Sequence, residues 1–261
     1  MKIKVFTIQN DELDILEDWI KYHASIFGKE NIHIINHKCT KASVDIIQQQ
    51  GVGHTPFEGA FSDKHNQLTR LMLSKKHEAD ILIPMDIDEF ICLYDDEKIC
   101  TDKDRILSEF KSLPHNYRYK FWELYGVDDK GEYQDPLIDM IKYHKNGKHN
   151  LMKTFYESST FLRTDQGNHH GWATTDQLYF TNLALLHFHT RGFKHFKNKM
   201  IKGKRAYGSS KTGGTHWKKF GAMIEQSDQE AKKAYKKCTS AYDIVHIVDN
   251  TFSNTIKSLR K

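Results

Sequence analysis

Apolar positions open the chain at Ile3, Val5 and Ile8, a strand pattern, and the polar run Asn10-Asp11-Glu12 breaks it and is suited to cap a helix. Leu13, Leu16, Ile20, His23 and Phe27 then recur at helical spacing, Ile15, Trp19, Tyr22 and Ile26 widen the apolar stripe, and Gly28 stops it. Residues 31–36 (N-I-H-I-I-N) predict a second strand, 37–43 a polar loop, 42–50 a helix closed by Gly51, and 52–57 a weaker third strand. This β-α-β-α-β alternation predicts a parallel sheet. A crossover helix over 63–79, with Leu68, Leu71, Met72 and Lys75 on one face, feeds Ile81, Leu82 and Ile83, the apolar run of a strand buried on both faces.

Beyond that strand the pattern predicts a helix near 103–112, an alternating strand over 117–125, and weaker strands over 151–156 and 183–189. Gly126, Gly131 and Gly147 read as hairpin turns or mobile loops between them. From Phe193 onward the pattern is helical and basic, with one segment over 216–237 and a weaker one near 244–259. No repeat or low-complexity linker divides the 261 residues, so they read as a single mixed α/β domain with a mostly parallel central sheet.

Composition changes this picture little. The chain is 38% hydrophobic and 12% aromatic with a formal charge of +5, a modest basic balance that suits a small anionic substrate at least as well as nucleic acid. The charge is uneven: lysines crowd 193–219 and acids gather around 86–104, so a cationic segment is expected to face an acidic one across a site. The apolar run at the N-terminus is too short for a signal peptide and none is long enough to cross a bilayer, so the expected location is cytoplasmic. Cys39, Cys92, Cys100 and Cys238 form no C-x-x-C pair and are expected to be reduced.

The candidate chemistry follows the buried strand. In M-D-I-D-E-F, Asp86, Asp88 and Glu89 place three carboxylates in four positions, which repel one another unless a cation or water neutralises them. Asp86 and Asp88 share one side of an extended segment, so two hard oxygens could share one ion with a diphosphate; a solvated strand end is the plainer explanation. Their expected position, at the carboxyl end of a central parallel strand, is where open α/β sheets bind ligands.

The order of parts resembles the nucleotide-binding half of a GT-A glycosyltransferase, of the group related to glycosyltransferase families 2 and 92 that includes enzymes of bacterial polysaccharides and of large DNA viruses. The resemblance lies in N-D-E (10–12), D-W-I-K-Y-H (18–23), N-H-K-C-T-K-A-S (36–43) and M-D-I-D-E-F, and continues in G-N-H-H-G (167–171) and L-H-F-H-T-R-G-F-K-H-F-K-N-K-M-I-K-G (186–203). It implies a nucleotide-sugar half over about 1–100, an acceptor half over about 101–205 and C-terminal helices over about 206–261. It further implies Mn2+ or Mg2+ held by Asp86, Asp88 and His187, with His189 as the neighbouring choice, and a UDP- or GDP-sugar contacted by Asn10, Glu12, Asn36, Asp86, Arg191 and Lys199. Where the group usually carries acids in the loop after the second strand, this chain has Asn36 and Lys41. A glycan acceptor would meet His169, His170 and Trp172. An inverting reaction needs a general base, for which Asp165, Asp176 and Glu123 are candidates, Asp165 first. The expected activity is sugar transfer to a glycan hydroxyl. A nucleotidyltransferase-like enzyme is the first competitor. A nucleic-acid-binding module is the second, and it leaves the acidic cluster unexplained.

Overall fold

A computed structural model describes residues 1–145, 152–207, 215–239 and 246–261. In chain order the first part runs β1 (Ile3–Gln9), α1 (Leu16–Phe27), β2 (Ile32–His37), α2 (Lys41–Gln50), β3 (Gly53–Phe57), α3 (Lys64–Lys75), β4 (Ile81–Pro84), β5 (Glu89–Asp95), β6 (Lys98–Cys100) and α4 (Lys103–Lys111). The second runs β7 (Arg118–Gly126), α5 (Pro136–Asp139), β8 (Lys142–Lys145), β9 (Thr154–Glu157), β10 (Phe161–Arg163), β11 (Trp172–Ala173), β12 (Leu178–His187), α6 (Phe193–Tyr207), α7 (Thr215–Gln226), α8 (Asp228–Thr239), β13 (His246–Val248) and α9 (Thr251–Leu259).

The central sheet is mixed, in the order β3-β2-β1-β4-β9-β7-β12-β5-β6. Its first four strands are parallel, as the β-α-β alternation predicts, and each crossover returns through a helix. Direction reverses at β9, which is antiparallel to both β4 and β7, while β7 and β12 are parallel. β4 and β1 are buried on two sides for a visible reason: Val5, Ile81 and Ile83 join the main core, whereas Phe6 and Leu82 face a second core closed by Leu68 and Met72 of α3. A third apolar cluster, with Phe196, Met200, Phe220 and Ile224, holds α6, α7 and α8 together. No described helix is long and apolar enough to cross a membrane.

The link from β4 to β5 governs the site. Only Met85–Asp88 join them, yet three strands, β9, β7 and β12, lie between the two in the sheet. The segment therefore passes across the ends of those strands and hangs its carboxylates over them. Its far end is held by α1, whose Trp19 Nε1 donates to the Glu89 carbonyl at 2.9 Å and whose Tyr22 hydroxyl donates to the Ile91 carbonyl. The aromatic residues of D-W-I-K-Y-H thus satisfy the backbone of the strand that leaves the acidic cluster.

Several elements differ from their expected form. The helix expected from Leu13 begins at Leu16, because the Glu12 carbonyl first closes a turn with the Ile15 and Leu16 N–H groups. The basic helix expected over 216–237 is two helices, since Ser227 Oγ accepts from the Glu230 N–H and starts α8 afresh. The last expected helical segment begins as a strand, β13, which pairs with β8; residues 244 and 245 lie outside the described residues. Gly126 ends β7 inside the sheet and is not a turn, whereas Gly131, at φ 77, lies at a bend in the link to α5 and not in a hairpin turn; Gly147 lies outside the described residues.

Candidate active site

The acidic residues are graded by depth. The Asp86 side chain is 42% exposed, that of Asp88 10%, and that of Glu89 0%. Asp86 thus faces solvent, Asp88 is nearly enclosed behind it, and Glu89 is fully enclosed. Glu89 also shapes the turn, its Oε2 accepting from the Asp86 N–H at 2.8 Å.

Three strands crossed by the link supply the residues below. Lys153, directly before β9, is buried and donates to Asp86 Oδ2 at 2.7 Å; its Nζ lies 2.9 Å from Glu89 Oε1 without the angle of a hydrogen bond. Burial would raise Asp86, but the charges of Lys153 and Lys64 outweigh it and hold the carboxyl low. For Glu89 burial prevails and the carboxyl is pushed up, because Lys153 directs its hydrogen bond at Asp86. Lys153 is a component that sequence reading missed.

β12 ends at His187, whose register partners are Glu89 on β5 and Tyr125 on β7. Its ring has two distinct sides. Nε2 lies 3.4 Å from Asp88 Oδ1, and Nδ1 lies 3.3 Å from Glu123 Oε1. The Tyr125 hydroxyl donates to the other Glu123 oxygen at 2.9 Å, and the Tyr125 ring stacks on the imidazole at 5.0 Å. Although burial disfavours charge on His187, Asp88 and Glu123 outweigh it and push its affinity for a proton up. The same contacts, with Lys199 foremost, hold Asp88 well down against burial.

The cationic segment expected to face the acids does so. Lys199 Nζ on α6 donates to Asp88 Oδ2 at 2.7 Å and to the His189 carbonyl at 2.9 Å. Arg191 is buried, grips Asp14 (Nε to Oδ2, 2.8 Å), Glu12 and the Phe188 carbonyl, and holds Nη1 3.9 Å from Asp88 Oδ2. Asp14 was not anticipated. Lys202 Nζ donates to the Asn10 carbonyl at 3.1 Å.

At the ends of β1 and β2 the side chains Gln9, Asn10 and Asn36 are neutral amides. Gln9 Nε2 donates to Asn36 Oδ1 at 2.9 Å, and Asn10 Nδ2 to the His37 carbonyl at 2.6 Å. Asp11 Oδ1 accepts from the Thr40 N–H and hydroxyl and from Ser43, capping α2 from a distance. Lys41 is exposed and paired with Asp45, so of the two substituted loop positions only Asn36 is buried here.

The G-N-H-H-G loop lies against β7 and β9. The His169 carbonyl accepts from the Thr154 hydroxyl at 2.6 Å and from Lys120, and Asp165 Oδ1 accepts from the His170 N–H at 3.1 Å. Gly171, at φ 57, could carry no side chain, because a Cβ there would meet the Tyr156 hydroxyl at 1.7 Å. Trp172 is 46% exposed, with the Arg163 guanidinium 3.5 Å above its ring. Of the three base candidates, Glu123 is buried against His187, Asp165 is half-buried in this loop, and Asp176 is exposed.

Among the described residues, Glu89, Glu123 and His187 bring ligand atoms within 4.8 Å of one another. Glu89 and Glu123 are fully enclosed, whereas the His187 and Asp88 side chains keep 8% and 10% of their exposure. Carboxylate oxygens suit Mn2+ or Mg2+, an imidazole beside them favours the softer Mn2+, and a carboxylate behind the other ring nitrogen is the usual support of a metal-bound histidine. The donor set therefore fits a divalent ion on the Asp88 side.

No protein-family model and no curated protein matches the chain. Among solved structures it is similar to S. aureus TarS in complex with UDP, at 11% identity over 92% of this chain and 72% of that one, with a TM-score of 0.46. It is also similar to a cytidylyltransferase from Leptospira borgpetersenii (14% identity, 46% and 54% of the two chains, TM-score 0.31). A third is mannose-1-phosphate geranyltransferase from Thermus thermophilus (10% identity, 97% and 75%, TM-score 0.34). Likeness at this distance names no activity for this chain.

Proposed function

We propose that the protein is a metal-dependent glycosyltransferase of the GT-A kind, moving a sugar from a nucleotide-sugar to a hydroxyl of a glycan, with inversion. One observation carries this reading: Asp88 Oδ1 and His187 Nε2 lie 3.4 Å apart directly behind the exposed Asp86, and Glu123 fixes the imidazole from behind. Asp88 and His187 are the residues that would hold Mn2+ or Mg2+, with Asp86 beside them. The ion, when bound, supplies the positive charge that stabilises a departing diphosphate.

The chain's own residues divide the remaining work. Lys153 holds the Asp86 carboxylate in place, leaving its exposed side toward the donor's ribose. Arg191 binds Glu12 and Asp14 and so ties the start of α6 to the segment before α1. Gln9, Asn10 and Asn36 offer hydrogen bonds without charge, which suits a nucleobase. His169, His170 and Trp172 lie on the acceptor side, where Asp165 takes the proton of the attacking hydroxyl. Glu123 is assigned to orientation of His187, since its buried position and its contacts suit that role better than meeting an acceptor.

Thermal shift with UDP or GDP plus Mn2+ tests the site, and a screen of nucleotide-sugars for slow Mn2+-dependent hydrolysis tests the reaction. The expected result is stabilisation in the wild type that Asp88→Asn abolishes. Equal stabilisation of that variant would remove Asp88 from the metal site, and turnover of nucleoside triphosphates in place of nucleotide-sugars would favour a nucleotidyltransferase.

A further inference from the structure

We propose that Lys199 is an exchangeable counter-ion. It neutralises Asp88 while the metal position is open and moves to the donor's diphosphate when a divalent cation takes that carboxylate. The proposal rests on the metal reading above and adds a competition that reading does not contain.

Besides Lys64, whose charge acts on Asp86 while its Nζ lies 4.0 Å over the Phe61 ring, four cationic side chains among the described residues pair with or adjoin the two rim carboxylates, and they are not equally free to move. Lys153 is buried between Asp86 and Glu89. Arg191 is fully enclosed and bound to Glu12, Asp14 and the Phe188 carbonyl. His187 is held between Asp88 and Glu123 and packed on Tyr125. Removing any of these from its place would leave other buried charges unpaired, which is costly.

Lys199 differs in each respect. Its side chain is 17% exposed, it stands on α6 outside the sheet, and its described partners are one carboxylate oxygen and one backbone carbonyl. Its ammonium is a compact charge on a flexible four-carbon stem, so it can turn without moving the helix. It also sits on the carboxylate of interest: at 2.7 Å it holds Asp88 Oδ2, while Oδ1 of the same carboxylate faces His187 Nε2.

An ion between Asp88 Oδ1 and His187 Nε2 lies on the same carboxylate as the ammonium at Oδ2, and the repulsion of two cations at that range favours displacement of the ammonium. The displaced charge remains next to the ion, and a diphosphate arriving there is the natural new partner. The lysine should therefore oppose metal binding when it comes alone and assist nucleotide binding once metal is present. A residue that only stabilised the fold would not act with opposite signs on the two ligands.

Lys199→Met keeps most of the stem and removes the charge, and Lys199→Arg keeps the charge. Binding of Mn2+ alone, followed by calorimetry or by the electron paramagnetic resonance of free Mn2+, should tighten roughly tenfold in Lys199→Met, with UDP affinity at saturating Mn2+ weakening by a similar factor. Lys199→Arg should restore UDP affinity toward wild type. Unchanged or weaker Mn2+ binding by a folded Lys199→Met, while Asp88→Asn abolishes it, would overturn the exchange and leave the metal reading intact. Mn2+ binding that is absent, or indifferent to Asp88→Asn, would overturn both. Circular dichroism and melting of each variant establish that it is folded, and the charge-keeping arginine supplies the second readout.

Discussion

The carboxyl edge of the sheet has two corners built on opposite plans. At β1 and β2, Gln9, Asn10 and Asn36 are neutral and hydrogen-bonded to one another and to nearby backbone. Around Met85–Asp88, Asp86, Asp88, Glu89 and Glu123 are interleaved with Lys153, His187, Arg191 and Lys199. Amides recognise shape and hydrogen-bonding pattern with little dependence on salt, whereas buried ions act over longer distances and fail together when one is removed. The contrast assigns recognition to one corner and charge handling to the other.

Breaking the charged corner should have the largest effect. Lys153→Met removes the partner of Asp86 and Glu89 and should cost about 3 kcal/mol of unfolding free energy by denaturant titration, at the low end for a broken buried pair because Asp86 is 42% exposed and Glu89 can take up a proton. A second change, Glu89→Gln, should recover part of that loss, because it removes one of the stranded acids. If the single variant is as stable as wild type, Lys153 is not the ion that neutralises this corner. A smaller effect is expected from Glu123→Gln. It keeps the shape behind His187 but weakens the support of the imidazole, and should reduce Mn2+ affinity roughly tenfold to a hundredfold while the fold stays intact. Unchanged Mn2+ binding would place the ion elsewhere.

The neutral corner should respond least. Asn36→Ala removes the oxygen acceptor of Gln9 Nε2, leaving Cys39 Sγ, and should cost about 1 kcal/mol, with UDP binding weakened and Mn2+ binding untouched. A change in metal affinity in that variant would show that the two corners are coupled and would end the division of labour.

How much of this was legible in the sequence follows the range of the signals. The parallel quartet was readable because each strand and helix carries its own period, and α1 was readable from a stripe of nine apolar or aromatic positions. Asp86 and Asp88 were readable because crowded carboxylates are locally conspicuous. Lys153 was not: a single lysine ahead of an alternating strand looks like a solvated residue until β4 is found beside it. Glu123 was noticed for its chemistry but not for its place, since the pairing of β7 with β12 that brings it to His187 joins residues 64 positions apart. β13 depends on pairing with β8 and has no local signature of its own. The break before α8 is a different case, because Ser227 and Glu230 form a capping pattern that was present in the sequence and passed over.

The short link between β4 and β5 has a mechanical consequence. Four strand spacings in a flat sheet amount to roughly 19 Å, while the five steps from Pro84 to Glu89 reach roughly 17 Å fully extended and here include a turn. The sheet must therefore curl for the link to close, and the link has no slack. Insertion of one residue in 37–41 would be absorbed at the surface, but one in 85–88 would shift both rim acids away from Lys153 and His187 together. Length at this point is as strict a requirement as residue identity, so variation in this protein should take the form of substitutions here and of insertions elsewhere.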